Sequence, residues 1–450
     1  KDDVLVIISM IYVMRYYYWD MGYDSSYKWD PNDDRTQITL FDIRDPANPD
    51  EIAEFSMSGY YVSSRMIGDY VYLISQFYIY KDGNNYILPT VERGSLLSEE
   101  IDVDDILYDP DTDDASSFLS ILAVDISSVS SEHISIVSGW SSTIYMSLDA
   151  LYLTYQKSIY DGIVFSSDVA RTTFSENNYT TTIYKISVDK LSMTVSARGE
   201  VGGWMLNQFS MDENDGFLRV ATTSEWANPD NSVYVLDEDL EVVGSLEGLA
   251  PTERIYSVRF VQDTLYLVTF RQVDPLFVID LSNPYDPKVL GEVEITGFST
   301  YLHPIDDDHV LGIGFENWSV KISIFDVSDP TDPTEMDRYV ISGGSWSEAN
   351  YDHKAVLFDK QRELLVIPAS SYTDYEHKTG AFVFKISLTE GISLRGVIDH
   401  GEYNYLRRAL YIDDNLYTIS GSVVMVNSLS DLSEINSVQY REEPHYYYLY

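Results

Sequence analysis

Cysteine is absent from the 450 residues. Disulfide frameworks, thiolate nucleophiles and cysteine-based zinc sites are therefore excluded. Basic residues are scarce: 29 Lys and Arg stand against 73 Asp and Glu, a formal net charge of −44. Such a chain repels phosphate, so neither nucleic acid nor an anionic membrane surface is an expected partner. Long hydrophobic runs are missing too. The longest, Val4 to Met14, falls short of the ~20 residues that a helical membrane span requires. An export signal would lie ahead of Lys1.

Helical periodicity is not sustained beyond two turns anywhere, which argues against an α-rich fold. The common catalytic signatures are absent as well: no H-E-x-x-H, no G-x-S-x-G elbow and no phosphate-binding P-loop. The seven histidines (His133, His303, His309, His353, His377, His400 and His445) form no close ligand pair. Paired carboxylates are so common in this chain that their presence says nothing about acid–base chemistry.

What the sequence does contain is apolar and aromatic material, 44% and 14% respectively, ample for a large core despite the charge. It is organised as a repeat. One unit reads strand, tight Asp-containing turn, aromatic-rich strand, as in Ser63 to Ser75, Ser257 to Phe270 and Arg408 to Ser420. The turn acids Asp215, Asp263, Asp308, Asp359 and Asp414 lie 48, 45, 51 and 55 residues apart. A second unit alternates with it: an apolar strand ending in Asp or Ser, a turn, then another strand, as in Ile38 to Met57 and Leu276 to Ile295. β-Branched and aromatic content between closely spaced turns marks these segments as strands. Two hairpins per repeat make a four-stranded antiparallel sheet. Sheets recurring about every 40–50 residues predict an all-β fold of the β-propeller type. Eight second units give eight blades, with seven as the alternative. Lys1 to Ser9 supplies part of the first blade, whose innermost strand would precede it. Residues 1–440 are expected to form a single domain, with insertions near 15–35, 77–117 and 156–179, followed by a tail at 441–450.

The turns Asp45 to Pro49, Asn283 to Pro287 and Asp329 to Pro333 share the form [DN]-P-x-[DN]-P. Proline presets φ, and the acid or amide side chain accepts from the backbone two residues on. A rigid turn, rather than a cation site, is the expected role.

Several residues are candidates for chemistry. Arg65, Arg259, His303, His353 and Arg408 sit at similar places on first strands, where they would line a central channel. Such a ring could hold a small anion or an acidic peptide end. In so acidic a chain, pairing with aspartates of neighbouring blades is the competing and simpler role. Asp109, Asp111 and Asp113 have the D-x-D-x-D spacing that converges oxygens on Ca²⁺, but the glycine and glutamate of a helix–loop–helix calcium hand are missing. A solvated acidic loop is the alternative. No other cofactor is expected. Asn178 and Asn317 fit the N-x-[ST] glycosylation pattern. The aromatic stretches Tyr16 to Trp29 and Tyr446 to Tyr450 are candidate contacts for partners or for self-assembly.

The segments Gly59 to Ser75, Leu206 to Glu213, Val242 to Phe260, Leu267 to Glu292 and Tyr411 to Ser420 resemble a family of secreted archaeal and bacterial proteins with a C-terminal β-propeller domain, distantly similar to WD40 propellers. VIDLSNP (Val278 to Pro284) also resembles the LVIVD repeat of surface-exposed propellers. The resemblance covers roughly Ile38 to Tyr440 and implies fold and export, with no catalytic residue to carry over. The expected function is an exported, non-catalytic, extracellular or cell-surface protein for binding or assembly. An enzyme or small-ligand receptor using the channel residues is the alternative.

Overall fold

A computed structural model of the chain describes residues 3–12, 30–94, 98–108, 115–139, 141–159, 178–225, 228–270, 274–373, 377–401 and 404–440. Contacts divide the chain into two units, Lys1–Arg219 with Leu236–Val243, and Val220–Val235 with Gly244–Tyr450. No α-helix occurs among the described residues, and no helix is long and apolar enough to cross a membrane.

Antiparallel sheets of four or five strands follow one another along the chain, numbered here 1 to 8. In the regular case four consecutive strands, a to d, pair in sequence order. Sheet 5 is Arg254–Val261, Thr264–Phe270, Asp274–Asp280 and Lys288–Ile295. Sheet 6 is Phe298–Pro304, His309–Glu316, Ser319–Asp326 and Thr334–Val340, and sheet 8 is Leu406–Ile412, Asn415–Ser420, Val423–Ser428 and Glu434–Gln439. Sheet 7 divides its a segment between Gly344–Trp346 and Leu357–Asp359, both paired with Leu364–Tyr372, and continues through His377–Ser387 to Gly391–Asp399. In the first unit, sheet 3 is regular, from Ser141–Met146 to Ser192–Gly202. Sheet 1 begins with Val4–Ile11, which pairs with Arg35–Asp42 as a b strand pairs with c.

The expected insertion at 77–117 is partly strand. Thr90–Arg93 adds to sheet 1 beside Asp50–Ser58, and Ile106–Tyr108 adds in parallel to sheet 2 beside Ser130–Ser138. Arg35 fixes the first addition. It is buried, donates to Ser56 Oγ (3.0 Å) and Thr90 Oγ1 (2.8 Å), and pairs with Glu92 (3.3 Å).

The strands of sheets 2 and 7 read as apolar runs because both faces of these sheets are buried. Along Tyr70–Tyr78 of sheet 2, Val71 and Leu73 pack with Ile38, Leu40 and Phe55 of sheet 1. Ile74 packs the other way, with Leu151, Leu153 and Tyr184 of sheet 3. In the second unit, Leu364 and Val366 of sheet 7 pack with Leu406 and Leu416 of sheet 8, while Leu365 and Ile367 pack with Leu311 and Ile313 of sheet 6. Each such side chain, fully buried, contributes about 1.5–3 kcal/mol.

The turns between c and d behave as their sequence dictates. Asp42, Asp125, Asp280 and Asp326 end c strands and accept from the backbone N–H two residues on, at 2.8–3.0 Å. Asp45, Asn283 and Asp329 of the Pro-rich turns do the same at 3.0–3.2 Å. Two of the Pro-rich turns also dock on the preceding sheet. The Pro284 carbonyl lies against Gly244 on the d strand Val242–Leu249 of sheet 4, and the Pro330 carbonyl against Gly291 of sheet 5.

Candidate aromatic groove

An opening lies in the second unit, at the end of sheets 7 and 8 where a strands begin and b strands finish. It has a volume of about 470 Å³ and is lined by Trp346, Glu348, Ser370, Tyr372, Tyr405 and Arg407, with Leu406 at its floor. Trp346 ends the segment Gly344–Trp346, Tyr372 ends the b strand of sheet 7, and Tyr405 and Arg407 open sheet 8. The exposed fractions of the three large rings are 39%, 51% and 50%.

The walls are held rigidly. Ser347 is fully buried, donates to the Pro368 carbonyl, and caps the short turn Glu348–Asn350 by accepting from Ala349 N–H at 3.1 Å. This capping sets Glu348 at the rim. Asn350 on the same turn is bonded by Thr300 of sheet 6 at 3.2 Å. Tyr372 stacks on His377 with centroids 4.2 Å apart, and His377 is hydrogen-bonded to Thr379 (2.9 Å), itself bonded to Ser370 (3.1 Å).

Arg407 reaches the groove through a backbone irregularity. Leu406 pairs with Ser420 and Arg408 with Ile419, so Arg407 is a bulge residue. The a strands of sheets 2, 3, 5 and 6 bulge at the same place, at Val62, Ser142, Tyr256 and Thr300. A bulge re-aims the side chain it carries, and among these positions only sheet 8 places a charge there. Among the described residues, neither Glu348 nor Arg407 makes an ion pair.

An arc of ring contacts leads to the groove. It runs from Tyr256 to Phe298 (4.9 Å), Phe315 (5.8 Å), Tyr351 (6.4 Å) and Trp346 (6.0 Å, stacked). Beside it, the two-residue turn Asn317–Trp318 has φ of 48° and 63°, the geometry of a type I′ hairpin. Trp318 is 91% exposed there. Holding tryptophan in the left-handed region at a solvent-exposed tip is strained.

The five residues expected to line a channel fall differently. Arg65 lies in the first unit and donates to Ser63, to the Ser64 carbonyl and to Gln208. The others lie in the second. Arg408 forms an ion pair of 2.6 Å with Asp352, which also caps the turn His353–Ala355. Burial pushes the Asp352 carboxyl up, but the Lys354 N–H and Arg408 outweigh it and leave it below the usual range. His303 shares a 2.9 Å hydrogen bond with Tyr301 and packs its ring on Phe358. Burial, and then the nearby Arg259 charge, depress its pKa to about 4. Asp109, Asp111 and Asp113 lie outside the described residues, as do the aromatic stretches 16–29 and 446–450. Among the described residues no three His, Asp or Glu converge as a metal site. Asn178 opens the c strand of sheet 3, and Asn317 is exposed at its hairpin tip.

Sequence reading missed the groove because Trp346, Tyr372 and Tyr405 are far apart in the chain. The available signal was aromatic residues bordering the repeat units, in GSWSEANY (Gly344 to Tyr351), SSY (Ser370 to Tyr372) and EYNYL (Glu402 to Leu406).

Successive four-stranded antiparallel meanders, packed face to face within each unit, define a β-propeller. The beta propeller domain family matches residues 1–432, and the chain belongs to that family. It is 44% identical over 258 residues to an uncharacterized protein of Archaeoglobus fulgidus, covering 56% of this chain and 39% of that protein. It is 42% identical over 265 residues to the uncharacterized protein MJ1554 of Methanocaldococcus jannaschii, covering 58% and 40%. The match thus spans about two fifths of each relative. Among solved structures, the dihydro-heme d1 dehydrogenase NirN in complex with DHE is similar with a TM-score of 0.47 at 10% identity, over 92% of this chain and 74% of that one. The Neurospora crassa Pan2 WD40 domain is similar with a TM-score of 0.37 at 10% identity, over 66% and 77%.

Proposed function

We propose that the chain is an exported, non-catalytic propeller of eight blades that acts as a binding or assembly protein outside the cell or on its surface. The groove between sheets 7 and 8 carries this reading: exposed rings on a rigid frame, with a carboxylate and a guanidinium that make no ion pair among the described residues. Pockets of this size, mostly apolar with a few placed polar groups, are built to hold ligands. The acidic surface and the exposed Asn317 fit export, with Asn178 and Asn317 as glycan acceptors. The resemblance to secreted propellers and to LVIVD repeats points the same way. A bound Ca²⁺ at Asp109, Asp111 and Asp113 and self-assembly through the aromatic stretches belong to the same proposal.

Protease treatment of intact cells of the source organism tests the location. The chain is expected to be cleaved or shed without lysis, and protection until lysis would overturn export.

A second reading, a small-ligand receptor or enzyme at the channel residues, draws on Arg259, Tyr301 and His303. A neutral imidazole beside a guanidinium suits an anionic ligand. Anion-dependent thermal stabilisation lost in His303→Ala would favour it.

A further inference from the structure

We infer that the groove of Trp346, Tyr372 and Tyr405 binds a carbohydrate chain. The inference rests on the binding role proposed above and names its ligand class. Three observations select that class. First, the rings are accessible and backed by packing rather than buried: Trp346 is stacked on Tyr351, and Tyr372 on His377. A flat face held open in this way accepts the C–H face of a sugar ring, burying apolar area at low entropic cost because the platform is already ordered.

Second, the polar groups at the rim are of both kinds. Glu348 only accepts hydrogen bonds and Arg407 only donates them, and neither is spent on an ion pair among the described residues. Sugar hydroxyls donate and accept, so one ligand satisfies both. A purely cationic ligand would meet Arg407, and a purely anionic one would meet Glu348. A purely apolar one would strip water from both without replacing its hydrogen bonds.

Third, the platform continues. Tyr351, 70% exposed, links Trp346 to Phe315, so the surface extends from the groove in one direction as a row of rings. A repeating polymer of rings fits such a row better than a single small molecule does. The bulge at Arg407 places a charge where sheets 2, 3, 5 and 6 carry uncharged residues. The groove is therefore a local specialisation of the repeat rather than a consequence of it.

Isothermal titration of the full chain against neutral hexasaccharides tests the inference, using β-1,4-glucose, α-1,4-glucose, β-1,4-N-acetylglucosamine and α-mannose probes. At least one is expected to bind with a Kd of about 1 mM or tighter and to shift tryptophan emission. Trp346→Ala and Tyr405→Ala should each weaken it about tenfold or more. Trp346→Phe, which keeps a platform, and Tyr285→Ala, on a c–d turn of sheet 5, should bind nearly as the parent does. Circular dichroism of each variant confirms that it is folded. If no probe binds, or if binding ignores Trp346 and Tyr405, the carbohydrate inference is overturned. Binding of a peptide library to the groove in place of sugars, lost in Trp346→Ala, also overturns it while leaving the broader binding role intact.

Discussion

Gly291 and Pro330 meet so closely that a methyl group on the glycine would lie 2.6 Å from the proline carbonyl oxygen. Gly291 is on the d strand of sheet 5, and Pro330 is in the Pro-rich turn of sheet 6. Gly244 and Pro284 repeat the relationship one sheet earlier, at 2.2 Å. The rigid turn thus seats itself on a position of the preceding sheet that has no side chain.

Gly291→Ala and Gly244→Ala are expected to destabilise the protein by about 1–3 kcal/mol each through overpacking. Gly344→Ala, where an added methyl meets nothing within 4 Å, should be close to neutral. Chemical denaturation compares the three, and equal stabilities would refute the docking role of the turns.

Lys321 in sheet 6 is almost fully buried, paired with Glu335 at 2.8 Å and donating to the Thr296 carbonyl at 2.6 Å. Glu335→Ala strands this ammonium and should cost about 3 kcal/mol. Lys321→Met in the Glu335→Ala background removes the charge as well and should recover much of that loss. Unfolding midpoints of the single and double variants measure the coupling.

His303 gives a pH signature. Its folded pKa, about 4, lies below the ordinary 6.5, so between these values the unfolded chain binds the extra proton. Its contribution is fully present above about 6.5, is lost as pH falls towards 4, and does not change further below that. A difference of this size corresponds to about 3 kcal/mol. His303→Phe should flatten that part of the stability profile. A variant profile parallel to the parent between pH 4 and 6.5 would contradict the assignment.

Chelation addresses the acidic loop. A melting temperature that falls when Ca²⁺ is removed, and no longer does so in Asp111→Asn, is the expected result of ligand linkage at Asp109, Asp111 and Asp113. An unchanged melting temperature identifies plain solvated acid.

The repeat was legible because sheets such as 2 and 7 are buried on both faces. That condition forces apolar strands, and the turns between them need Asp, Asn, Gly and Pro for their backbone geometry. Thus Ile38 to Met57 and Ser257 to Phe270 announce hairpins. The added strands Thr90–Arg93 and Ile106–Tyr108 were not legible, since they are short and partly polar and pair only because a sheet edge is nearby. Nor was the groove: Tyr405 and Tyr372 resemble core aromatics in sequence. Arg407 is set apart from Arg408 only by a bulge that no local pattern records. Arg408 itself, a channel candidate by position, is paired with Asp352.

The side-chain caps on the c–d turns separate two properties that acidity usually joins. At Asp42, Asp125, Asp280 and Asp326 the turn requires an oxygen that accepts a hydrogen bond, not a negative charge. Asparagine supplies the same oxygen, as Asn283 already does. The chain's net charge can therefore drift with the salinity of its surroundings, by exchange of acid for amide at these corners, while the backbone they pin stays as it is.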